Sequence, residues 1–474
     1  MLGPGLLPDI LLTLLGCLLV LAAPFYGRRE EEDLGIVALV GLALVFIVTC
    51  FTFGIDQTYF GVYRANFLVA IVKLLLIAVA FLVTAASRAS TESLRIGVGE
   101  FYGLVVFTTL GGMLMVGAKN LLLLYLGLEL SSYSTYVLVG YYRRDVRSNE
   151  AAAKYFMLGA LSSAFLLYGI SLLYGATGTL DYQGVNLDFG GMRLPQLFWP
   201  GMALILVGFA FKLALVPFHA WTPDVYQGAP TIVVALLSVG PKAAAVTALL
   251  LFLAGGQGFA SRWGGALVVM SILSMTIGNL QAMPQENIKR LLGYSSIAQL
   301  GNVLIGLAVV SPEGYAGVVF YTIAYAFTNV GAFVLLAALA ARGVREDLAS
   351  YAGLGKRSPF AALALVVFLC SLAGIPPLAG FFGKFLVFQA AMAAGQYGLA
   401  IVAVVNTIFA FYYYFRVVAK MYLSEPAADA QPVAMPLSGT MTVSLALAGT
   451  LVVGIFGQPI ISALQSAVRL VAGA

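Results

Sequence analysis

The sequence predicts an all-α polytopic protein that crosses a membrane about fourteen times. Three observations predict it. Of 474 residues, 61% are hydrophobic and 9% charged, a balance that soluble globular domains do not show. Apolar runs of about 20 residues, each enough to span ~30 Å of hydrocarbon, recur along the whole length. Lysine and arginine collect in alternate loops. The longest polar stretches lie near 177–197 and 341–358, and neither is long enough for a soluble domain.

The first run, 6–25, has Asp9 as its only charge and no positive segment ahead of it, so it reads as a spanning helix rather than a cleaved signal. The second, 34–53, follows a charged loop, and the third, 65–86, holds Lys73. Runs 99–117 and 120–140 are divided at Lys119, and the fifth carries Glu129. The sixth, 151–175, starts after Arg143, Arg144 and Arg147 and includes Lys154. The seventh, 200–218, contains Lys212 and runs into Pro217, Pro223 and Pro230. The eighth, 231–254, carries Lys242 directly after Pro241. Runs 264–283, 291–310 and 314–341 follow. The twelfth, 359–389, is interrupted at Pro376 and Pro377 and holds Lys384. Runs 397–421 and 437–456 complete the count, and 457–474 reads as a short amphipathic helix.

Loops after odd-numbered spans carry Arg28, Arg29, Arg88, Arg95, Arg143, Arg144, Arg147, Lys289, Arg290, Arg342, Arg345, Lys356, Arg357 and, at its edge, Lys420. Loops after even-numbered spans carry Arg64, Lys119, Arg193 and Arg262. The richer side is expected in the cytoplasm, with both termini outside. Proline inside a helix removes a donor and clashes with the preceding turn. Backbone opened at membrane depth survives only inside protein or beside water. Two interrupted spans in corresponding places point to a transporter built from inverted repeats. The expected division is three N-terminal helices (1–95), one five-helix repeat (96–256), a second (257–424) and a last helix with its tail (425–474), with helices 7 and 12 broken.

Five lysines and one carboxylate lie within apolar runs. A charge at the bilayer centre costs roughly 2.5–3.5 kcal/mol on insertion scales and usually marks an ion or proton path. Lysine's proton affinity responds readily to its surroundings. Glu129 is expected to pair with Lys212, either as a switch or as a static bridge. Lys242 is placed to continue the path, with snorkelling as the alternative. His219 is placed for proton relay or a structural role. Lys384 is the candidate exchange site, and Lys154 serves uptake or tunes the Glu129 pair, with Glu150 at i−4. Lys73 reads as structural or snorkelling. Tyr294, Ser295, Ser296, Thr322, Tyr325 and Thr328 are placed to hold water, Asp224 to cap or anchor the broken segment, and Trp199 and Trp263 to sit at the membrane interface. Cys17, Cys50 and Cys370 all fall in apolar runs without a CxxC or Cys/His cluster, and no nucleotide-binding glycine pattern sits between strand and helix. Redox or nucleotide chemistry is therefore expected in partners, and nucleic acid is not an expected partner.

HAWTPDVYQGAPT (219–231), NIKRLLGYSSIAQLG (287–301) and GIPPLAGFFGKF (374–385) together resemble the subunit N family of respiratory complex I, the proton-translocating NADH–quinone oxidoreductase. LGLELSSYSTYVLVGYYRRD (126–145) adds to the resemblance. Carried over by motif, it implies proton translocation by Glu129, Lys154, Lys212, His219, Lys242 and Lys384. It implies no cofactor in this chain, FMN, iron–sulfur clusters and quinone in partner subunits, neighbouring membrane-arm subunits, and a prokaryotic inner membrane. The alternative is a subunit of a cation/proton antiporter, or of a hydrogenase- or ferredoxin-linked complex.

Overall fold

A computed structural model describes residues 3–25, 31–88, 98–185, 191–426 and 431–472. Arg28, Arg29 and Arg95, counted above for orientation, lie outside the described residues. The helices are α1 (Leu7–Ala22), α2 (Glu31–Cys50), α3 (Phe67–Ser87), α4 (Val98–Gly117), α5 (Leu121–Val139), α6 (Val146–Thr177), α7 (Phe198–Lys212), α8 (Trp221–Gly228), α9 (Thr231–Gly255), α10 (Gln257–Ala282), α11 (Ile288–Ala308), α12 (Pro312–Ala340), α13 (Pro359–Ala373), α14 (Ala379–Ala393), α15 (Tyr397–Leu423), α16 (Leu437–Ile455) and α17 (Gly457–Ala472). Among the described residues thirteen helices are long and apolar enough to cross a membrane, and the shorter pair α13 and α14 fills the place of the twelfth expected span. One small hairpin, β1 (Gln57–Tyr59) and β2 (Tyr63–Ala65), sits between α2 and α3.

Helix starts follow local sequence. Asn66, Asn120, Asp145, Asn287 and Ser311 each accept a backbone N–H in the first turn of α3, α5, α6, α11 and α12. This satisfies donors that a helix otherwise leaves open. α9 is apolar around its whole circumference and is buried throughout, as a helix of that pattern must be. It packs against α3, α4 and α12, which puts Lys242 in the most enclosed element of the bundle. α6 and α15 lie at the periphery and expose Phe156, Met157, Leu161, Ile401, Ile408 and Tyr412, surfaces suited to lipid or to other membrane helices.

Trp263 lies at the first turn of the span that starts at Arg262. It is buried, with edge contacts to Phe252 and Phe259. Trp199 is half-buried, with the Arg262 guanidinium over its ring. Lys73 does not snorkel. It is 2% exposed and pairs at 2.5 Å with buried Asp9. The Tyr63 hydroxyl donates to the same carboxylate at 3.1 Å, and the ammonium lies 5.0 Å from the Tyr63 ring centroid. The triad clasps α1 and α3 under the hairpin. Lys73→Met is expected to destabilise by about 3–5 kcal/mol, because it strands a buried carboxylate, while Asp9→Leu with Lys73→Met recovers most of the loss. Thermal unfolding of the solubilised protein in its complex checks this; a double variant as unstable as the single one contradicts it.

Candidate functional site

The two breaks position the chemistry. α7 ends at Lys212, and Ala214 adopts φ 56°. The released backbone is satisfied internally: Leu215 N donates to Ala210 O at 2.8 Å, Val216 N to Ser274 Oγ at 3.0 Å, and Trp221 Nε1 to Phe211 O at 3.1 Å. These bonds supply partners inside the protein for backbone opened at membrane depth. In the second break, α13 ends at Ala373 and Gly374 turns with φ 92°. α14 starts so close to α13 that a Cβ on Gly380 would lie 1.9 Å from Ser371 O.

Lys212, Lys242 and Lys384 are buried, at 4%, 2% and 5% exposure. Lys212 Nζ donates to Ser132 Oγ on α5 at 2.8 Å. Lys242 Nζ donates to Ser296 Oγ on α11 at 2.7 Å and lies 5.3 Å from the Tyr226 ring centroid. Tyr325 OH donates to the same Ser296 oxygen at 2.9 Å. Lys384 Nζ donates to Leu372 O and Ala373 O, both at 2.9 Å, so the carbonyl end of α13 cradles it. Among the described residues none of these three forms an ion pair, whereas Lys73, Lys154 and Lys289 do. The distinction is chemical. An amine that has given up its proton still donates to a hydroxyl or carbonyl oxygen, so a cradle of neutral acceptors holds either protonation state.

The expected direct pairing of Glu129 with Lys212 is not formed. Glu129 accepts from Ser163 of α6, and Lys212 bonds Ser132, one turn along α5 from Glu129. α6 packs against both α5 and α7, and each charge has a serine partner of its own where a contact between them was expected. Lys154 is likewise not embedded. It is 44% exposed and pairs with Glu150 at 2.8 Å and Asp224 at 2.9 Å, away from Glu129. Asp224 also binds Arg290 at 2.6 Å, which ties α8 to α6 and α11 and bears out its anchoring role. Burial opposes the charge on Asp224, but hydrogen bonds from Arg290 and Lys154 prevail and hold its carboxyl below the usual carboxylate range. A surface pocket of about 240 Å³ opens here beside Arg147, Glu150, Lys154 and Asp224. The stacked rings of Tyr155 and Trp221 (4.6 Å) with Phe211 join the segments carrying Lys154 and Lys212. His219 lies half-buried in the first break, and its Nδ1 has no hydrogen-bond partner. Lys289, counted above as a loop charge, is buried against Ala229 O and Glu346.

Of the polar residues expected to hold water, Ser295, Ser296, Tyr325 and Thr328 join the network. Thr328 meets Ser371 at 3.1 Å, and Ser295 meets Tyr414 at 2.5 Å. Thr322 bonds back to its own helix, and Tyr294 stacks with Arg290. The sequence reading did not find Ser132, Ser163, Gln299, Ser371 or Tyr414. Single hydroxyl and amide residues in helices carry no signal until the helices are placed. The hydrogen bonds of Lys212 and Lys242 run to different helices and do not meet.

Gly374 supports the Lys384 cradle. An added Cβ would lie 3.1 Å from Lys384 Cδ, at a positive φ that disfavours any side chain. Gly374→Ala is expected to cost about 1–3 kcal/mol and to depress the function of Lys384 without removing it. Comparison with Lys384→Met in membrane vesicles checks this, and wild-type activity in Gly374→Ala contradicts it.

Residues 118–410 match the family described as NADH:quinone oxidoreductase/Mrp antiporter, TM. The chain belongs to that family. A chain in the structure of respiratory complex I from Thermus thermophilus with bound aureothin aligns with a TM-score of 0.82 and 34% identity, over 96% of this chain and 99% of that one. NADH-quinone oxidoreductase subunit N of Trichlorobacter lovleyi is 40% identical over 98% of this chain and 97% of its own length. F(420)H(2) dehydrogenase subunit N of Methanosarcina mazei is 36% identical over 98% of both. Family members are membrane subunits, and the helix count of this chain agrees with them. Among the described residues no cluster of His, Cys, Asp or Glu is composed to hold a metal ion.

Proposed function

We propose that this chain is the proton-translocating, subunit N-type component of the membrane arm of an NADH–quinone oxidoreductase in a bacterial plasma membrane. Two five-helix repeats, 96–256 and 257–424, each contribute a broken helix. The arginine-rich loops face the cytoplasm and both termini lie outside. Protons are taken up near Lys154 and Asp224, reach Lys212, cross by Lys242 and leave by Lys384. Glu129 changes the charge balance around Lys212 through Ser132 and Ser163, and His219 serves the first break. Flavin, iron–sulfur clusters and quinone belong to partner subunits, whose redox chemistry drives the path.

The observation that carries this reading is the set of three buried lysines held by neutral oxygens, two of them at helix breaks. The resemblance to an F(420)H(2) dehydrogenase subunit keeps a second parent complex in view. Purification of the tagged chain from its native membrane decides between them. Co-purification with a flavin and iron–sulfur assembly that oxidises NADH supports the proposal. An assembly without redox centres, or one oxidising a different donor, overturns that part of it.

A further inference from the structure

The carbonyl end of α13 is held from two sides. Of its last four carbonyls, Cys370 O accepts from Gly374 N and Ile375 N, and Ser371 O accepts from Gly374 N, each at 3.0 Å. Leu372 O and Ala373 O both accept from Lys384. Leu372 O also accepts from Gln299 Nε2 of α11 at 2.8 Å, across 73 residues of sequence. The same amide nitrogen reaches Tyr414 OH at 3.1 Å, and Tyr414 OH lies 2.5 Å from Ser295 Oγ. Gln299 Oε1 accepts from Tyr321 OH. Gln299 is 2% exposed, and both ends of its amide are engaged.

An amide differs from the hydroxyls around it. Serine and tyrosine donate one proton while accepting another and so pass protons along a file. A carboxamide nitrogen does not give up its hydrogen near neutral pH and holds a fixed donor direction. Buried networks of this kind fix geometry when every member is satisfied. Resting on the proton-path reading above, we propose that Gln299 is a positioning residue: it holds the open carbonyl end of α13 against Lys384 and keeps Ser295 and Tyr414 in register with that cradle. Removing the amide leaves Leu372 O held only by Lys384 and takes away the hydrogen bond that ties the end of α13 to α11. A misplacement of about 1 Å in such a site changes rates by up to about 10²-fold.

The test uses the whole complex in sealed vesicles, with protons moved per electron as the readout and complex content measured alongside. Gln299→Met keeps the length and removes the donor; Gln299→Asn keeps an amide that falls short of Leu372 O. Each is expected to assemble and to lower the ratio by about twofold or more. Content and turnover falling together with an unchanged ratio means a merely structural role and overturns the inference. Should Gln299→Met fail to assemble, the ratio in Gln299→Asn decides in the same way. Lys384→Met is measured in parallel. A lowered ratio there with unchanged Gln299 variants rejects this inference alone, whereas an unchanged ratio in Lys384→Met rejects the proton-path reading.

Discussion

Lys384→Met is expected to leave an assembled complex whose coupled turnover is close to background. The substitution keeps the length and apolar stem, and Gly374 still has a side chain to pack against. Both carbonyls of α13 lose the ammonium, and Leu372 O keeps only Gln299. A positioned proton carrier contributes roughly 10²–10⁴-fold to the step it serves. If all flux through the second half of the chain passes this amine, that step becomes limiting for the coupled machine. Quinone reduction driven by NADH, assayed with and without an uncoupler in membranes of matched complex content, checks the result. Turnover within a factor of two of wild type, with normal pumping, would show that the buried ammonium only seals the end of α13.

The second large effect is expected at the first break. Glu129→Gln and Lys212→Met should each reduce coupled turnover about tenfold or more, and the double variant should be much less than additive. Residues in one network show interaction energies of about 0.5–3 kcal/mol in such cycles. The structure makes this a sharp case, because the two groups form no ion pair and each bonds a serine of its own, Lys212 to Ser132 and Glu129 to Ser163. Coupling is then transmitted by the field of the carboxylate and by the serine hydroxyls. Ser132→Ala should lower the coupling energy while preserving both charges. Additive single effects would reduce Glu129 to a local anchor for α6.

The fold was legible because burial of charge and hydrophobic length are strong constraints in a membrane. Runs such as 231–254 and 397–421 correspond closely to α9 and α15. The breaks at Lys212 and Pro376 were legible because proline leaves few options for backbone in lipid. Lys212, Lys242 and Lys384 stood out for the same reason: each is a charge with no local partner in sequence. What failed was anything dependent on neighbours from other helices. Glu129 and Lys212 were expected to meet because each lacked another partner, yet serines on α5 and α6 fill that role. Lys154 lies in an apolar run but near its end, where Asp224 and solvent reach it. The packing of Trp263 against Phe252 and Phe259 was not visible in sequence for the same reason. Asp9 and Lys73, 64 residues apart, became a pair only when α1 and α3 came together.

The central claim is that protons cross the middle of this chain by way of Lys242. The most direct test is the number of protons moved per electron by the purified complex carrying Lys242→Met, reconstituted in sealed vesicles. A clear fall in that ratio, or a loss of coupled turnover restored by nothing but an amine at position 242, is the predicted result. An assembled Lys242→Met complex with the wild-type ratio and rate would contradict the account.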